Sequence, residues 1–159
     1  MINKKSADQW FSEYGSSHQN PINKVVHWFC VPGIFLVIVG LLWALPVPEF
    51  MVNISPWMNW ASLTAVGVIV FYVLLSKRLA IGLTLFTLIC LGMVSWYDSL
   101  QVAPLWATSL VLFVLLWIGQ FIGHYIEGKK PSFFQDLQFL LIGPAWLMGF
   151  IYRQLGLKY

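Results

Sequence analysis

The chain has 159 residues, of which 59% are hydrophobic and 9% charged, against roughly 25% charged in an average soluble domain. Too little polar surface remains to cover a water-soluble globule, so the composition points to a single integral membrane unit. The formal charge of +3 is too small to mark a nucleic-acid binder; the lysines and arginines read better as topology signals.

In chain order, residues 1–26 are mostly polar and hold no apolar core segment, so they read as a cytoplasmic amino-terminal segment and not as a cleavable signal peptide. Uncharged blocks then run from Lys24 to Glu49, Glu49 to Lys77, Arg78 to Asp98 and Asp98 to Glu127. A helix crossing the hydrocarbon layer needs ~20 mostly apolar residues. Spans are expected near 27–46, 57–76, 79–97 and 104–126. Lipid offers backbone amides no partner, so the fold class is all-α, a helical bundle within the bilayer.

The closing apolar segment, 133–152, is interrupted by Gly143-Pro144. A proline in mid-helix removes a backbone bond and bends the rod, so this segment reads as a kinked fifth span or a re-entrant piece. Lys4, Lys5 and Lys24 mark the first arm, Lys77-Arg78 the middle turn, and Lys129-Lys130 the loop after the fourth span, while the 47–56 and 98–103 loops hold no Lys or Arg. Positive charge on every second loop gives four spans with a cytoplasmic amino terminus. Arg153 and Lys158 favour a closing segment that does not cross. Cys30 and Cys90 fall inside apolar runs and read as reduced packing residues.

This topology puts all three histidines at one membrane face. His18 and His27 precede or open the first span, and His124 closes the fourth. On one straight helix His18 and His27 would stand about 13 Å apart along the axis, on opposite faces. The chain forbids that: Pro21 disfavours helical geometry at Asn20, which is itself a good N-cap, and Pro21 suits the first helical position. A segment carrying Tyr14 and His18 then folds back near a new helix carrying Asn23 and His27, four apart on one face. Gln120, His124 and Glu127 share a face of the fourth helix. Ionisable residues at membrane depth face the bundle interior and serve function. A lone histidine at a helix end can simply cap carbonyls, and Glu127 can pair with Lys129 or Lys130. Three histidines with four amide or carboxylate neighbours argue for a metal instead. Imidazoles with a carboxylate suit zinc, iron or copper, and Asn23 and Gln120 are placed to hold the second ring nitrogens.

These residues resemble the membrane 2-hydroxy fatty acid dioxygenase family of fungi and bacteria. One half of the likeness is Tyr14, His18, Asn20-Pro21, Asn23, His27 and Pro32; the other is Gln120-Phe121, Gly123-His124, Glu127 and Lys129-Lys130-Pro131, with Pro144 in the closing segment. It departs at Pro131-Ser132-Phe133, where the family continues with Pro-Ala and an aliphatic residue. The resemblance implies a multi-pass membrane enzyme using Fe(2+) and O2 to shorten a 2-hydroxy fatty acid by one carbon. Its metal ligands would be His18, His27 and His124, with Glu127 in the catalytic set. Tyr14, Asn20, Asn23, Gln120, Lys129 and Lys130 would support the ligands or meet the substrate. The site would face the cytoplasm of a bacterial inner membrane, or of the endoplasmic reticulum in a eukaryote. Two other readings fit the composition: a haem-binding electron carrier with His27 and His124 as axial ligands, and a non-catalytic membrane or lipid-interaction protein.

Overall fold

The computed structural model describes residues 5–128 and 139–159. The described residues form helices and no strand. The first helix, α1 (Ala7–Gly15), opens with a capping box: Gln9 N–H donates to Ser6 Oγ at 3.2 Å, and Ser6 N–H donates to Gln9 Oε1 at 2.8 Å. It buries Phe11 and Tyr14. The second, α2 (Pro21–Trp43), starts where the sequence requires. Asn20 is extended, its Oδ1 accepts from Ile22 N–H at 2.9 Å, and Pro21 is the first helical residue. The two helices are thus separate, as the Asn-Pro break implies.

A short helix, α3 (Glu49–Ile54), leads to α4 (Trp60–Leu75), capped by Asn59. Ser76 ends α4 and its Oγ accepts from Leu79 N–H at 3.3 Å to cap α5 (Lys77–Ser99), making a one-residue corner. Then come α6 (Leu105–Glu127) and α7 (Ile142–Gln154). Gly128 stops α6 in the left-handed region, φ 72°, and its N–H donates to Tyr125 O at 3.1 Å; a side chain there would be strained.

Three of these helices, α2, α5 and α6, have 23 residues each and are long and apolar enough to cross a membrane, since that length rises about 34 Å. α4 has 16 residues, about 24 Å, short of a hydrocarbon layer of ~30 Å. It nevertheless runs the depth of the bundle. Its Tyr72 packs with Phe11, Tyr14, Leu79 and Trp146 at one end. Its Ala61 and Ala65 pack with Val39, Val94 and Leu105 at the other. The closing segment differs from expectation. Pro144 is the third residue of α7, not its midpoint. In the first turn the missing N–H would have no helical partner anyway, so the proline does not bend this helix. Residues 133–138 of that segment, like Lys129 and Lys130, lie outside the described residues. α7 packs against α1, α2 and α5 at the histidine end, and Tyr152 Oη donates to Arg78 O at 3.0 Å.

The closest pair is α2 with α6. In lipid, helices gain little from burying apolar surface against each other, so small residues that admit close backbones decide the contact. A Cβ added to Gly119 would meet Cys30 Sγ at 2.9 Å, and one on Gly33 would meet Leu116 Cδ1 at 2.9 Å. Gly123 is tighter still, with Asn23 Oδ1 inside contact distance of such a Cβ. The outward faces stay apolar: Phe29 is 74% exposed and Ile81 72%. Large exposed apolar surface of this kind marks a lipid-facing wall.

Candidate metal centre

Three imidazoles from three parts of the chain meet at the end of the bundle where α1 and α7 lie. His18 sits in the corner between α1 and α2, His27 is two turns into α2, and His124 is in the last turn of α6. They are 2%, 1% and 4% exposed. Ring centroids lie 4.2 Å apart for His18 and His27, 5.1 Å for His18 and His124, and 5.0 Å for His27 and His124. One ring nitrogen of each lies within 4.8 Å of the other two.

Two of the rings have a fixed proton. His18 Nδ1 is 2.6 Å from Tyr14 O, and His27 Nδ1 is 2.8 Å from Asn23 O. A carbonyl only accepts, so each Nδ1 carries the hydrogen and donates it. Nε2 is then the atom with the lone pair, the atom a metal takes. The fold does this with main-chain carbonyls four residues upstream. The expectation that the Asn23 and Gln120 side chains hold the second ring nitrogens is therefore corrected for His18 and His27.

The remaining residues sort by what they touch. The Tyr14 ring stacks on His18 at 4.1 Å and 13°. Asn20 caps α2. Asn23, fully buried, donates its side-chain N–H to Glu127 Oε2 at 3.0 Å. Glu127 also accepts from Gln19 N–H at 2.7 Å through Oε1 and from Asn20 N–H at 2.8 Å through Oε2. Its carboxylate thus holds the amino end of α2, where backbone N–H groups carry partial positive charge. The three-nitrogen cluster forms without it. Gln120 lies one turn before His124 and beside the rings, 8% exposed.

Sequence reasoning missed one contributor and the packing role of another. Trp146 of α7 packs over the site, 5.9 Å from the His18 ring and 5.3 Å from the Tyr14 ring; no spacing tied α7 to the histidines. Gly123 permits the approach that places Asn23 against α6, a role visible only once α2 and α6 are paired.

The profile of the family described as 2-hydroxy-palmitic acid dioxygenase Mpo1-like matches residues 4–155, nearly the whole chain. The chain belongs to this Mpo1-like family. Both histidine-bearing stretches fall inside the match. No curated protein and no solved structure matches the chain. The membrane-type architecture and the three-histidine cluster are what this Mpo1-like chain itself presents, and the donor set fits a metal. Three imidazole nitrogens, two oriented through Nδ1 and all buried, suit zinc, iron or copper and leave coordination positions for other ligands.

Proposed function

We propose that the protein is an Fe(II)-dependent dioxygenase that shortens 2-hydroxy fatty acids by one carbon within the membrane. The observation that carries this is the buried trio His18, His27 and His124, with two Nδ1–H groups tied to backbone carbonyls, in a chain of the Mpo1-like family. The reaction balances with one O2: the 2-hydroxy acid gives the shorter acid, its carboxyl carbon leaves as CO2, and one water forms. A bound iron would supply oxygen activation and an anchor for the 2-hydroxy-carboxylate head.

The chain's own residues do the rest. His18, His27 and His124 hold the ion. Tyr14 and Trp146 cover it and keep bulk water off. Glu127 acts as a positioning residue, fixing the corner that carries His18 against α6. Lys24 of α2, with Lys129 and Lys130, would draw the carboxylate to the interface while the acyl chain stays in the apolar layer. We further propose that α4 completes a four-span bundle, with α7 lying on the cytoplasmic face beside the site, in a bacterial inner membrane or its eukaryotic counterpart.

The geometry favours a bare ion over haem. A bis-histidine haem needs a flat macrocycle between His27 and His124, whose rings are 5.0 Å apart with His18 wedged against both. The deciding experiment is anaerobic iron quantification followed by mass spectrometry of the products of 2-hydroxypalmitate and O2. Bound iron with formation of the fifteen-carbon acid supports the proposal. A Soret band, or bound metal with no chain shortening, overturns it.

A further inference from the structure

A cavity of about 30 Å³ opens beside His27, lined by Tyr14, His27 and Gln120 on its polar side and by Trp117, Phe139 and Leu140 on its apolar side. A water needs roughly 10–15 Å³ on this measure, so the space suits a small polar head and no more. Gln120 is 8% exposed, and its buried Oε1 accepts no hydrogen bond among the described residues. A buried amide oxygen left unmet is costly, and natural structures rarely keep one without a reason.

We infer that Gln120 Oε1 accepts a hydrogen bond from the substrate's 2-hydroxyl and so sets the preference for 2-hydroxy over unsubstituted fatty acids. This rests on the proposed function above. The chemistry of the atom narrows the guest. An amide oxygen can only accept, so it is repelled by a carboxylate and gains nothing from a 2-oxo group. An unsubstituted acid offers it a C–H and leaves it orphaned. A hydroxyl beside the imidazoles is the neutral donor it lacks. A site built to bond a hydroxyl rejects the analogue without one far more strongly than an apolar pocket does.

The test reads binding, not turnover. Zinc-loaded protein in detergent, which cannot activate O2, is titrated calorimetrically with 2-hydroxypalmitate and with palmitate. The wild type is expected to prefer the hydroxy acid by on the order of tenfold or more. Gln120→Met keeps length and removes the acceptor; it should bind both acids about equally, with zinc content as in the wild type. Gln120→Glu keeps an acceptor; it should weaken both acids by charge repulsion and retain the preference. Gln120→Leu serves if the Met variant does not hold zinc. A Met or Leu variant that holds zinc and keeps the full preference overturns the inference and leaves the proposed function standing. A wild type that holds zinc and shows no preference likewise overturns the inference alone; one that holds no zinc overturns the metal site on which both rest.

Discussion

Glu127 Oε2 accepts from the backbone N–H of Asn20 at 2.8 Å, joining the last residue of α6 to the N-cap of α2 across 107 positions of chain. With the Gln19 N–H and the Asn23 amide, the carboxylate takes three N–H donors. Hydrogen bonds to a charged group contribute about 1.5–3 kcal/mol each, although Glu127 is partly open to solvent, which screens it.

Glu127→Gln keeps the shape, but its amide turns an N–H toward donors. We expect metal affinity to fall roughly 10–100-fold, as for other residues that orient ligands, while helix content persists. Metal titration alongside circular dichroism checks this. Unchanged affinity would remove Glu127 from the positioning set.

Each of His18→Ala, His27→Ala and His124→Ala is expected to lose stoichiometric iron and all turnover. Two remaining imidazoles hold an ion poorly. Iron per protein measured anaerobically decides; three variants with full metal content would end the ligand assignment.

Gly123→Ala sets a methyl against Asn23 Oδ1 at one of the tightest points between α2 and α6. Overpacking of this kind costs typically 1–3 kcal/mol, and it also moves His124 from His27. Lower thermal stability and weaker metal binding should appear together. Gly67→Ala on α4, whose Cβ would meet nothing within 4 Å, is the control and should leave both unchanged.

The four-span proposal is checked by tags. The amino terminus, the Lys77-Arg78 corner and the carboxyl terminus are expected to be reached from one side of the membrane, and the 98–103 loop from the other. Opposite accessibility of the first two sites would refute it.

Much of this was legible before any coordinates. Apolar run length found the helices, because lipid allows the backbone few choices. The Asn20-Pro21 pair announced the break between α1 and α2, because its chemistry is local. The gathering of the three histidines at one end of the bundle was expected from the placement of the apolar runs. What was not legible was direction. Glu127 carries the same spacing whether it turns toward a metal or toward Asn20; its partners lie more than a hundred residues away. Asn23 was expected to orient a ring through its amide, but its carbonyl does so, a choice set by the α2 backbone. Pro144 looked like a mid-segment kink because the start of α7 has no sequence signal: Leu141, at the N-cap, offers no side-chain bond.

The pairing of α2 with α6 has a consequence for biosynthesis. Two of the proposed ligands emerge early and the third only with the last turn of α6, so a nascent chain halted before that helix holds a pair of imidazoles and no complete set. If the three histidines hold a metal as proposed, loading would follow formation of the finished bundle. A ribosome-arrested or truncated product would then be apo by construction, not through failed delivery of the ion.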